Sequence, residues 1–140
     1  MHYIHRRLNM DQDRVQLIAF YPYPEKFHPE NEVQQRLKGI AATFMIDIQI
    51  VNHPEELISL PDIPIVSIEE RRDNQSVDVR LFEHPRECVY IVGNSVYEYP
   101  SDYFNVTSKV SIALPTGHPL YGDQAAAVIL TDRTYKYASV

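Results

Sequence analysis

The chain is short of the residues that most small-molecule motifs require. It holds four glycines in 140 residues, too few for a P-loop or a Gly-x-Gly-x-x-Gly turn, whose backbones must fold tightly around phosphates. The common nucleotide-binding folds are excluded on that count. A single cysteine, Cys88, excludes an internal disulfide framework. The six histidines are scattered, with only His2 and His5 at i, i+3, so no metal site is expected. No Gly-x-Ser-x-Gly elbow anchors a hydrolase triad. No apolar run approaches the ~18 residues that cross a bilayer. The charged start, Met1-His-Tyr-Ile-His-Arg-Arg7, has no apolar stretch behind it, so no membrane segment or signal peptide is expected and the chain is placed in the cytoplasm. Basic charge is lacking too: 13 Lys and Arg face 19 Asp and Glu, a formal charge of −6. That balance counts against a broad phosphate-contacting surface, and DNA binding is not expected. Arg6-Arg7, Arg71-Arg72 and Lys109/Arg133/Lys136 are local basic spots, readable as solvated charge or as contacts.

What is present is an ordinary globular composition, 44% hydrophobic and 23% charged, enough for one domain over 1–140 with 1–14 as an N-terminal extension. Val15-Gln-Leu-Ile-Ala-Phe-Tyr21 is a nearly continuous apolar run stopped by Pro22 and Pro24, the pattern of a buried strand. Asn31 is placed to cap a helix whose stripe is Val33, Leu37, Ile40, Ala41 and Phe44. Met45-Ile-Asp-Ile-Gln-Ile-Val51 alternates, as a strand with one wetter face does. A short helix is expected over Pro54–Ser59, a strand over Ile63–Ile68, a polar loop over Glu69–Ser76 and an extended segment over Val77–Phe82. A strand at 88–92 (in which Cys88 reads as a buried, inert thiol), a helical piece at 100–104, a strand at 109–114 and a helix at 120–131 complete the order. Alternating strands and helices predict an α/β domain with a mostly parallel sheet flanked by helices.

The last third is the most informative part. Glu87-Cys-Val-Tyr-Ile-Val-Gly-Asn-Ser95 reads as a strand ending in glycine, and Val110-Ser-Ile-Ala-Leu-Pro-Thr-Gly117 as a strand ending in a turn. Two strand-end turns side by side offer backbone N–H and C=O groups to one pocket, and Gly93 and Gly117 permit close backbone approach. The alternative is that both glycines only make turns.

This stretch resembles the SpoU-like branch of the SPOUT methyltransferases. The residues that carry the resemblance are Ile-Val-Gly93-Asn, then Ile112-Ala-Leu-Pro-Thr116, then Leu120 and Ala125-Ala-Ala-Val-Ile-Leu-Thr-Asp132. The lead-in Ile63-Pro-Ile-Val-Ser-Ile-Glu69, Glu83-His-Pro-Arg86 and His28-Pro-Glu-Asn31 extend it over residues 15 to 133. The resemblance implies a C-terminal trefoil knot, a homodimer, S-adenosylmethionine as cofactor and methyl transfer to a ribose 2′-hydroxyl of tRNA or rRNA. It implies that Gly93, Ile112, Leu114, Gly117 and Leu120 line the cofactor pocket, with Arg36 as the catalytic base.

The chain also departs from the family's pattern. Ser95 stands where the family has a glutamate and Glu98 where it has a second glycine; Pro119-Leu120-Tyr121 replaces Ser-Leu-Asn. Leu37 takes the place of the first-motif arginine, with Arg36 one residue short, and such a slip turns a helix by about 100°. A second reading follows from these losses: a catalytically inactive SPOUT-fold homodimer that binds or scaffolds. Tyr97, Tyr99 and Tyr103 suit either base stacking or a dimer interface. Asp123 either meets a cationic sulfonium or favours a helix N-terminus.

Overall fold

A computed structural model describes residues 14–21, 30–53, 55, 62–69, 75–93, 99–118 and 120–138. Among the described residues six strands form one sheet: β1 (Val15–Phe20), β2 (Asp47–Val51), β3 (Ile65–Glu69), β4 (Ser76–Asp78), β5 (Cys88–Gly93) and β6 (Ser108–Ser111). Among the described residues two helices, α1 (Glu30–Thr43) and α2 (Gly122–Ala138), join them, with 3-10 turns at Val79–Leu81 and Pro100–Asp102. The strand order is β2-β1-β5-β3-β6-β4, and every pairing is parallel. The expected α/β architecture is therefore present, with the sheet wholly rather than mostly parallel.

The central strand explains itself. Cys88, Val89, Tyr90, Ile91 and Val92 are all fully buried, as a strand covered on both faces of a parallel sheet requires. Alternate residues feed two cores. Leu17, Ala19, Tyr90, Val92, Val66, Ile68 and Val110 pack with Leu37 and Ala41 of α1 and with Ala126, Ile129 and Leu130 of α2. Both helices thus share one face, where they touch each other. Ile18, Phe20, Val51, Val89 and Ile91 point the other way and pack with Ile63, Ile65 and Phe104. The outer strand β2 keeps Asp47 and Gln49 exposed and Ile48 and Ile50 half-buried, the alternation its sequence shows.

The α1 stripe is used as expected: Leu37 and Ala41 are buried, and Val33, Ile40 and Phe44 pack beside them. Burying a leucine such as Leu37 is worth about 2 kcal/mol. The helix starts at Glu30, one residue before the cap expected at Asn31, which therefore lies inside the first turn. It ends in a Schellman motif. Ile46 N donates to Ala41 O at 3.0 Å and Met45 N to Ala42 O at 3.1 Å, with Met45 at φ 60 in the left-handed place usually given to glycine. That residue belongs to the cap, so β2 begins at Asp47 rather than at Met45.

Other boundaries differ from expectation too: β3 runs over Ile65–Glu69 rather than 63–68, and takes Glu69 from the expected polar loop into the sheet. The 77–82 segment divides into β4, a 3-10 turn capped by Asp78 accepting from Arg80 N, and a buried Phe82. Strand β6 stops at Ser111 because the next residues turn at Pro115, where Gly117 N donates to Leu114 O at 3.0 Å. Helix α2 starts two residues late and runs to Ala138. The helix expected over 54–59, apart from Glu55, lies outside the described residues, as do Ser95, Tyr97, Glu98 and Pro119. Among the described residues no helix is long and apolar enough to cross a membrane.

Candidate functional site

Strands β1 and β5 are neighbours, yet their continuations diverge. The chain leaves β1 for β2 on one side and leaves β5 for β6 on the other. Such a switch point opens a crevice beyond the strand C-termini, where open α/β sheets bind ligands. Tyr21 follows β1 there and Gly93 ends β5.

The head of α2 fills one side of this crevice. A Cβ on Gly122 would lie 2.3 Å from Gly93 O and 3.4 Å from Tyr21 Oη. The carbonyl of Gly93 thus closely faces Gly122, a glycine without a role in the expected site. A glycine just ahead of an alanine-rich helix was the available signal. Tyr121 caps the helix, its N–H donating to Gln124 Oε1 at 2.9 Å and its carbonyl accepting from Ala125 N at 2.9 Å.

The second turn behaves differently. Gly117 has φ 77, a conformation that favours glycine, and among the described residues nothing would crowd a Cβ there. Along this turn Ile112 is buried and Leu114 is exposed, while Leu120 packs at the edge of the core.

Arg36 and Asp123 meet at this end of the sheet. Arg36 Nε donates to Asp123 Oδ2 at 2.7 Å across 87 residues of sequence. No local sequence signal links Asp123 to this partner. It lies in the first turn of α2, where a carboxylate suits the helix dipole, and it also holds a cation from α1. The hydrogen bond to Asp123 pushes the Arg36 guanidinium above its ordinary value. A guanidinium whose charge is reinforced this way is a poor proton acceptor, which weighs against the base role that the resemblance implies.

A buried carboxylate orders the crossover after β5. Glu69, 3% exposed, accepts from Ser67 Oγ at 2.6 Å, Ser101 N at 2.9 Å and Ser101 Oγ at 2.9 Å. These bonds pin the Pro100–Asp102 turn over the sheet. Just beyond it, Tyr103 and Phe104 set their rings edge-on to Phe20, at 5.0 and 4.9 Å. Tyr103 is thus engaged in packing within its own chain. Ser111, level with Glu69 on the neighbouring strand, is buried, and its Oγ has no hydrogen-bond partner among the described residues.

The opposite end of α2 is stapled by a buried polar network. Arg133 Nη1 donates to Pro85 O at 2.6 Å and to Tyr90 Oη at 3.0 Å, and Nη2 to Arg86 O at 2.8 Å. Tyr90 Oη, having accepted from Arg133, donates to His84 Nδ1 at 2.7 Å, which leaves the His84 proton on Nε2 to bond Asp132 Oδ2 at 2.7 Å. Burial drives the His84 pKa down against the pull of Asp132, so this contact is the hydrogen bond of a neutral imidazole rather than an ion pair. Lys136 Nζ spends its three donors on Val79 O, Phe82 O and Asp132 Oδ2. Cys88 lies buried beneath, and burial raises its thiol pKa, as an inert cysteine requires.

The crevice therefore offers backbone-lined turns, a buried carboxylate and one placed cation. No protein-family model and no curated protein matches the chain. Several solved structures share its fold, among them two methyltransferase-type proteins. A SpoU methyltransferase, AviRb from Streptomyces viridochromogenes, solved in complex with AdoMet, superposes with a TM-score of 0.59 at 16% identity, over 91% of this chain and 59% of that one. A probable methylase family protein from Haemophilus influenzae Rd KW20 superposes with the same TM-score at 8% identity, over 91% of this chain and 67% of that one. The chain thus has the fold of SpoU-type methyltransferases and spans 59% of the AviRb length.

Proposed function

We propose that the protein is an S-adenosylmethionine-dependent methyltransferase acting on a ribose 2′-hydroxyl of tRNA or rRNA. The observation that carries this reading is the superposition of 91% of the chain on AviRb, a SpoU methyltransferase solved with AdoMet. The residues present fit such a cofactor. The Gly93–Gly122 contact leaves main chain, not side chain, at the switch point. Asp123 carries a buried Oδ1 with no hydrogen-bond partner among the described residues. Gly93, Ile112, Leu114, Gly117 and Leu120 would line the pocket, and a knot formed by the C-terminal unit would bring the two turns together. When bound, the cofactor supplies a methyl group on a positively charged sulfur. The chain's part is to hold the acceptor oxygen in line with that carbon and to exclude water.

The working form in this proposal is a homodimer in the cytoplasm. The outer face of α2 supports it, with a shallow groove of about 410 Å³ lined by Ala127, Val128, Thr131, Asp132 and Tyr135. The second reading, an inactive scaffold of the same fold, is favoured by one observation: the guanidinium charge of Arg36 is fixed by Asp123, so it cannot readily serve as the base.

Calorimetric titration with S-adenosylmethionine and its demethylated product tests the cofactor, and tritium transfer to bulk unmodified tRNA and rRNA tests catalysis. Binding with transfer supports the enzyme, and binding without transfer supports the scaffold. Absence of heat at high protein concentration sinks the cofactor assignment.

A further inference from the structure

Arg36 reaches Asp123 from α1, through Nε alone. Among the described residues its two terminal nitrogens form no hydrogen bond, and 53% of the side chain remains exposed. Asp123, whose side chain is 11% exposed, is the fixed member of the pair. A carboxylate anchored in the first turn of a helix thus grips the inner edge of a flexible cation. Among the described residues the terminal nitrogens keep donors free, and a guanidinium fork matches two oxygens of a phosphate. The place is the Gly122 turn, at the switch point. In a chain of formal charge −6, one cation held in position matters more than diffuse attraction, which such a chain lacks.

We propose that Asp123 is a positioning residue for Arg36, fixing its guanidinium to receive a phosphate of the RNA acceptor beside the cofactor turns. The assignment rests on the methyltransferase reading. It makes Arg36 an anchor for the acceptor and gives Asp123 a function that acts only through Arg36.

The test is a double-mutant cycle read by fluorescence anisotropy. The probe is a short fluorescein-labelled single-stranded uridine oligonucleotide, titrated at several salt concentrations with the demethylated cofactor product present. Arg36→Ala is expected to weaken binding about tenfold, the loss of one hydrogen-bonded charge contact, and to flatten the salt dependence by about 0.7 of a log unit per decade. Asp123→Asn should weaken binding in the wild-type background and add nothing to Arg36→Ala, because its effect passes through that residue. Asp123→Glu, which can restore the pair, should recover most of the affinity, and it also serves if the asparagine variant fails to fold. Wild-type affinity in Asp123→Asn, additive losses in the double variant, or a protein that binds cofactor but no RNA would each overturn the proposal. A protein that gives no heat with the cofactor overturns the parent reading instead, a separate result from the same preparation.

Discussion

Gly122 faces the carbonyl of Gly93 so closely that a methyl group in place of its hydrogen would stand 2.3 Å from that oxygen. The neighbour is main chain at the end of the central strand and cannot rotate away. Gly122→Ala must therefore displace the head of α2 or the end of β5. It is expected to cost about 1–3 kcal/mol, the usual range for overpacking, and to weaken S-adenosylmethionine binding at least tenfold. Calorimetry on the folded variant separates the two effects. Wild-type stability and affinity together would show that the contact is not tight.

The pH dependence of stability should carry the signature of His84. Its side chain is 1% exposed and burial lowers its pKa below the ordinary value of 6.5. The unfolded chain therefore takes up a proton at a higher pH than the folded one does. The stability that the neutral ring contributes is present above about pH 6.5 and is lost as pH falls through the folded value. Chemical denaturation from pH 7.5 downward should show a falling midpoint. The variant His84→Gln, which keeps a donor and an acceptor without a titrating ring, should show a shallower fall over the same window. Parallel curves would place the proton uptake elsewhere.

Among the described residues Arg133 is the largest fully buried side chain. Its replacement by methionine keeps the bulk but strands Pro85 O, Arg86 O and Tyr90 Oη. At about 1 kcal/mol for each hydrogen bond lost, the expected loss is about 3 kcal/mol. Urea unfolding should show a lower midpoint at an unchanged slope. Since this staple lies at the far end of α2 from Gly122, cofactor affinity of the folded protein should change less than twofold.

Two backbone changes should stabilise. Met45 holds φ 60 at the end of α1, a conformation costing about 1 kcal/mol for a residue with a Cβ. Met45→Gly should recover about 0.5 kcal/mol after its own chain-entropy cost. Gly39 sits in mid-helix, and a Cβ there would meet nothing within 4 Å. Gly39→Ala should add about 0.5–1 kcal/mol. Thermal unfolding of the single and double variants checks both.

Much of the scaffold was legible because it rests on local patterns. The Cys88–Val92 run, the α1 stripe and the alternation of β2 each declare their environment within a few residues. The end of α2 was not legible. After Ile129 the inward face continues with Arg133, and a buried arginine is credible only once the carbonyls of Pro85 and Arg86 are known to face it. The site shows the same division. Gly93 could be read from its place at the end of an apolar run, but the Arg36–Asp123 pair spans 87 residues and depends on how α1 meets α2. Arg36 stands one residue short of the family's arginine, and its partner Asp123 comes from another helix. Gly122 was in plain view as one of four glycines, yet nothing local marks which glycine will meet another backbone.

The strand order also bears on how the chain acquires its shape. The middle of the sheet is β5, while β1 and β3, its two neighbours, come much earlier in the chain and make no ladder with each other. Val15 finds Cys88, and Ile65 finds Val89, only when the later strand arrives. A growing polypeptide therefore emerges with its β1–β2 pair and its third strand waiting on a keystone still to be synthesised. Contacts of such long sequence separation make for slow assembly with exposed strand edges in the interval. The step that completes the β1–β5 junction, and with it the crevice, also ends that exposure.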